Sequence, residues 1–99
     1  MKGISLDDFC DRLYYGCDME IKDDTWYYMI YSARLDNGKH SIRLWKFDTL
    51  DNTSEYSVEL YNKEDVLPEK SVSAFLEAPI FDGKSFYEIA QDVEILTIF

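Results

Sequence analysis

Apolar residues recur along this chain with two different periods, and the switches between them mark its elements. Leu6, Phe9, Cys10 and Leu13 fall at i, i+3, i+4 and i+7, the spacing of one helical stripe. Ser5 stands before the stripe with Asp8 three residues on, a capping-box-like start that sets acids against the helix dipole. Gly16 lies where a left-handed residue would end the helix. From Cys17 the period becomes two. Cys17, Met19 and Ile21 alternate with Asp18, Glu20 and Lys22, as in a strand half buried on one face, and Asp23-Asp24 supplies a turn. Thr25 to Leu35 is apolar on both faces, with Trp26, Tyr28 and Ile30 on one and Tyr27, Met29 and Tyr31 on the other. That pattern predicts a strand covered on both sides, or one that shows tyrosines to a partner.

Asn37-Gly38, between two strand-like runs, predicts a hairpin with a type I′ turn, in which both central residues take positive φ. The return strand is His40 to Phe47, with Ile42 and Leu44 alternating with Ser41, Arg43, Trp45 and Phe47. A polar loop spans Asp48 to Ser54. Glu55 to Tyr61 then alternates again, Tyr56, Val58 and Leu60 inward against Glu55, Ser57, Glu59 and Tyr61 outward. Pro68 suits a first helical turn, and Val72, Phe75 and Leu76 form a stripe that stops before Pro79. Ser85 with Glu88 makes a second capping box, opening a helix with Phe86, Ile89, Ala90 and Val93 on one side. Ile95 to Phe99 reads as a terminal strand. The expected order is α-β-β-β-β-α-α-β. It describes an α+β domain: an antiparallel β-meander of four to five strands, with an N-terminal helix and two C-terminal helices on one face.

At 99 residues, with no repeat or linker-like stretch, residues 1–99 are expected to form a single domain. An apolar share of 46% and an aromatic share of 16% exclude a disordered chain. No apolar run reaches the length of a membrane span, and the charged N-terminus does not read as a secretory signal. Two cysteines, Cys10 and Cys17, then read as free thiols in a cytoplasmic protein.

Charge changes the picture more than composition does. Twenty acids against ten bases leave −10, and the surplus is uneven: residues 25–47 carry +3, between a stretch of −4 and one of −9. Such a field repels phosphate backbones and anionic lipid, and attracts a basic protein surface. The basic hairpin runs against this trend, with Arg34, Lys39, Arg43 and Lys46 interleaved among Tyr27, Tyr31, Trp45 and Phe47. Aromatic and basic residues on a sheet are what single-strand binders use. Four bases in a molecule of this charge make a weak funnel, so pairing with neighbouring acids is expected instead.

The residues that catalysis needs are sparse. His40 is the one histidine and is expected at the hairpin rim, in the open, with nothing to bring it near Cys10 or Cys17. No CxxC or Cys/His cluster suggests zinc, and the glycines lack nucleotide-binding spacing. Asp36-Asn37-Gly38 is followed by Lys39, His40 and Arg43 where a calcium loop needs oxygens. Adjacent acids at Asp7-Asp8, Asp23-Asp24 and Glu64-Asp65 are ordinary for helix starts and turns. No cofactor, no metal and no catalytic residue is therefore expected.

Phe75-Leu-Glu-Ala-Pro-Ile-Phe-Asp-Gly-Lys-Ser-Phe-Tyr-Glu-Ile89, with Asp8-Phe9 and Leu13-Tyr14-Tyr15-Gly16, resembles small uncharacterised proteins of Gram-positive bacteria and their phages. The resemblance spans the first 20 and last 25 residues and implies an α+β fold without an activity. In layout and charge alone the chain is also similar to phage-encoded anti-CRISPR inhibitors that mimic DNA, a likeness that transfers no residues.

These readings converge on a non-enzymatic acidic protein-binding module, an inhibitor or immunity factor acting by charge mimicry of nucleic acid. The expected contact set is Asp48, Asp51, Glu55, Glu59, Glu64, Asp65 and Glu69, with Tyr61 as apolar anchor. The partner would be a basic protein, with no direct nucleic-acid or membrane contact. The alternatives are an oligomerising module, such as a homodimer joined by an edge strand or the tyrosine-rich face, and a small ligand-binding domain. The last would need a deep pocket lined by Trp26, Tyr28 or Trp45.

Overall fold

A computed structural model of the chain describes residues 1–48 and 56–99. The first helical stripe folds as α1 (Leu6–Tyr15), where the Ser5 hydroxyl accepts the Asp8 N–H at 3.1 Å. Gly16 closes the helix at φ +87°, and the Cys17 N–H donates back to the Arg12 carbonyl at 2.9 Å. A Cβ on Gly16 would lie 3.1 Å from the backbone nitrogen of Arg34. Only glycine lets the helix end come so near the sheet.

The strands are β1 (Met19–Lys22), β2 (Tyr27–Arg34), β3 (His40–Phe47), β4 (Ser57–Val66) and β5 (Glu94–Ile98). Between β4 and β5 lie α2 (Pro68–Glu77) and α3 (Phe86–Ile89). All neighbouring strands are antiparallel, in the order β4-β3-β2-β1-β5, so the chain's last strand returns beside its first. This is the α+β layout the periodicity predicted. α3 is shorter than its apolar spacing suggested, because a 3₁₀ turn over Ala90–Asp92 tightens the chain before β5. Its capping box is complete, with Ser85 and Glu88 each satisfying the other's backbone N–H.

Two local expectations are corrected. Between Leu35 and Lys39 the hairpin has a three-residue loop in which only Gly38 takes positive φ, +79°. The Asn37 side-chain oxygen accepts the Lys39 N–H at 2.9 Å, so a left-handed glycine closes the turn in place of a type I′ pair. The second correction concerns β4, which runs on past Tyr61 to Val66. A bulge against Leu44 and Trp45 inserts Leu60 as an extra residue. Tyr61 therefore falls opposite inward-facing Leu44 and turns towards the core instead of outward.

One core fills the space between the sheet and the helices. Phe9 and Leu13 of α1, Val72, Phe75 and Leu76 of α2, and Phe86 and Ile89 of α3 meet Met19, Ile21, Tyr28, Ile30, Ile42 and Leu44 from the strands. Phe81, in the α2–α3 connection, stands edge-on to Tyr28, Phe75 and Phe86. Every strand residue in that core comes from the alternate positions of one face.

Candidate functional site

On the face of the sheet opposite the helices, β2 and β3 set their remaining large side chains in register. Tyr27 stands opposite Phe47, Met29 opposite Trp45, and Tyr31 opposite Arg43. None of Tyr27, Met29, Tyr31, Trp45 or Phe47 belongs to the core or packs against it. Tyr27, Met29, Trp45 and Phe47 are half-buried, and Tyr31 is 41% exposed. No described element covers them. Of the two readings of this doubly apolar strand, covered on both sides or showing tyrosines, the described residues fit the second, since they roof one side alone.

The charges beside this strip are matched. Arg43 donates to the Glu59 carboxylate at 2.7 Å, across from Trp45 on β4, and its guanidinium lies 5.8 Å from the Trp45 ring. The hydrogen bond from Arg43 holds the Glu59 carboxyl below the usual carboxylate range, helped by Asn62. On the β1 side, Lys22 pairs with Glu94 at 3.4 Å. Glu20, beside Met29 in register, is in no ion pair among the described residues.

The expected acidic contact set is not assembled in one place. Glu59 lies on the open face, matched to Arg43. Glu69 lies on the helical side, in a shallow groove with Cys10, Asp11, Tyr14 and Tyr87. Glu64 and Asp65 are exposed near the end of β4, where Asp65 takes φ +63° and accepts a hydrogen bond from Asn37 at 3.1 Å. Asp48 is exposed at the end of β3. Asp51 and Glu55 fall outside the described residues. Tyr61 packs its ring on Phe75, centroids 5.3 Å apart, and burial pushes its phenol up. Its buried hydroxyl has no hydrogen-bond partner, so Tyr61 is no exposed anchor.

The basic hairpin is likewise dispersed. Arg34 donates to the Tyr14 carbonyl at 2.7 Å and stacks over the Tyr14 ring, capping the C-terminal end of α1. Lys46 points inward, its ammonium 4.1 Å from the Trp26 ring and 3.7 Å from Asp82. With Arg43 held by Glu59, three of the hairpin's four cations are occupied within the chain.

His40 departs furthest from expectation. It is fully buried, with Nε2 2.7 Å from the Leu13 carbonyl and Nδ1 2.8 Å from the Ser71 hydroxyl. The inward alternation of β3 reaches its first residue, which the turn signal alone placed at a rim. Tyr28 is sealed in the core and donates to Asp23 at 2.8 Å, while Trp45 lies on the open face. A cleft of about 500 Å³ does open at one end of β1 and β5, lined by Lys2, Lys22, Asp23, Asp24, Gln91, Asp92 and Glu94. Its wall is charged and polar, without the apolar lining that holds a small organic ligand. Among the described residues no three His, Cys, Asp or Glu side chains are placed to hold a metal ion, and no helix is long and apolar enough to cross a membrane.

Compared with protein-family models, curated proteins and solved structures, the chain matches none.

Proposed function

We propose that this chain is a non-enzymatic, acidic protein-binding module that docks a basic partner on the uncovered face of its sheet. The observation that carries this is the strip of Tyr27, Met29, Tyr31, Trp45 and Phe47, which serves no core. Aromatic and methionine side chains with few charges among them are the usual anchors of protein interfaces. The partner's chemistry follows from charge. On the face Lys22 and Arg43 are held by carboxylates, Lys2 and Glu20 are in no ion pair among the described residues, and the chain carries −10 overall. A field of that sign draws in cationic surfaces and holds off nucleic acid and anionic lipid. The fitting partner presents an apolar centre inside a basic rim.

Inhibition by charge mimicry is one form of this activity. Asp48, Glu59, Glu64, Asp65 and Glu69 would then contribute to the field from several sides, with the aromatic strip as the contact. A cytoplasmic setting suits the two half-buried thiols, Cys10 and Cys17.

The test compares capture of basic proteins by the wild type, by Trp45→Ala with Tyr31→Ala, and by Tyr87→Ser on the helical side, at low and high salt. A partner lost on the open-face change and at high salt, but kept by Tyr87→Ser, supports the proposal. Capture that ignores the open-face change overturns it. So does a dimer in sedimentation that Trp45→Ala dissolves, because a second copy would then occupy the face.

A further inference from the structure

We propose that His40 is a pH-operated latch, pinning α1 and α2 to the sheet at neutral pH and releasing them in mild acid. The ring sits at the start of β3, between Arg34 of β2 and Val66 of β4 in register, with no surface exposed. Its two nitrogens reach two different helices: Nε2 to the Leu13 carbonyl in the last turns of α1, and Nδ1 to the Ser71 hydroxyl of α2. A carbonyl can only accept, so Nε2 carries the proton. In the neutral ring Nδ1 is then an acceptor, and the hydroxyl of Ser71, itself 2% exposed, donates to it.

A second proton on the ring goes to Nδ1, where it faces the hydroxyl that was donating. Ser71 must turn round and accept, and its own proton loses its partner. The resulting imidazolium is buried with no carboxylate to receive it. The packed elements carry Arg12 on α1, Arg34 on β2, Lys63, Glu64 and Asp65 on β4, and Glu69 and Lys70 on α2. Of these, Arg34 is the one whose charge acts on the ring, and it has the sign of the imidazolium. Burial lowers the pKa of His40, the Leu13 carbonyl opposes that, and Arg34 lowers it further.

The sign of the linkage follows. In the folded state the ring resists protonation, whereas in the unfolded chain it accepts a proton near its ordinary value of about 6.5. Its contribution to stability is complete above that value and is lost as pH falls through the lower, folded value. The helices respond before the strands, because the ring's two side-chain bonds go to helices while β3 keeps its ladder to β2 and β4. No other histidine is present to confuse the titration.

Nuclear magnetic resonance of the full chain tests this, following the His40 ring and amide-exchange protection from pH 8 to 5. The expected result is a ring still neutral at pH 6.5. As it titrates at lower pH, α1 and α2 should lose protection by about tenfold or more, while β2 and β3 hold theirs. In Ser71→Ala, which removes the donor to the neutral ring, the midpoint should move to higher pH. A ring that titrates near its ordinary value overturns the proposal, as does protonation without selective loss in the helices. An unmoved midpoint in Ser71→Ala does the same.

Discussion

The Arg43 guanidinium lies 2.7 Å from the Glu59 carboxylate, and this pair holds the one arginine on the uncovered sheet face beside Trp45. The hydrogen bond to Glu59 raises the Arg43 pKa and lowers that of Glu59, so both stay charged across the physiological range. Exposed pairs of this kind contribute little to folding, and their effect lies in which partners the surface accepts.

Glu59→Gln is therefore expected to leave the thermal unfolding midpoint nearly unchanged while it exposes a positive charge next to the aromatic strip. Association with a cationic partner should slow, most clearly at low salt, where long-range attraction is strongest. Stopped-flow or surface-binding rates across a salt series would measure it. An equal slowing at all salt concentrations would point to a lost contact rather than an altered field.

Inside the molecule the aromatic pairing is structural. Phe9 of α1 and Phe86 of α3 stack with centroids 4.5 Å apart and planes within 4°, and both are fully buried. They join the N-terminal helix to the short C-terminal one. Phe9→Ala should cost about 3–5 kcal/mol, a large part of the roughly 5–15 kcal/mol that holds a small domain together. Urea unfolding would show a lower midpoint, and a loss below about 1 kcal/mol would mean the cavity collapses.

Alkali should destabilise the fold through Tyr28. Burial, then its hydrogen bond to Asp23, pushes this phenol well above its ordinary value, so the folded state keeps the proton. The unfolded chain releases it near pH 10. The stabilisation is complete below that value and falls as pH rises past it, because only the unfolded state gains from ionisation. Tyr28→Phe should start less stable at neutral pH, having left Asp23 Oδ2 without the hydroxyl while Oδ1 keeps the Thr25 and Trp26 N–H groups, and should lose less on going from pH 9 to 11. Thermal melts of both proteins over that range would decide it.

Most of the local structure was legible because its causes are local. Ser5 and Gly16 bracket α1 and Ser85 with Glu88 opens α3 through hydrogen bonds that span a few residues, while Pro68 and Pro79 bracket the stripe of α2 through their fixed φ and missing N–H. The structure departs from the local pattern where a neighbouring strand or helix intervenes. A single bulged residue, Leu60, reversed the facing of Tyr61, and alternation within β4 cannot report a bulge that is defined only against β3. The turn signal at Asn37-Gly38 marked the hairpin, but the inward register of β3 buried His40 against two helices that lie far off in sequence.

The candidate surface divides in the same way. Tyr27, Met29, Tyr31, Trp45 and Phe47 were visible as a second apolar face on β2 and β3. Whether that face would be roofed depended on where the helices docked.

From the sequence alone came the element order, the α+β class, the caps and the negative charge, because periodicity, capping chemistry and ionisation are properties of short segments. Tertiary structure alone decided that the carboxylates of β4 and α2 stand apart, which groups hold three of the hairpin cations, and that the described residues leave one sheet face uncovered. Each of those outcomes depends on which distant segments share a face of one sheet, and burial and Coulomb energies depend on that proximity rather than on order along the chain.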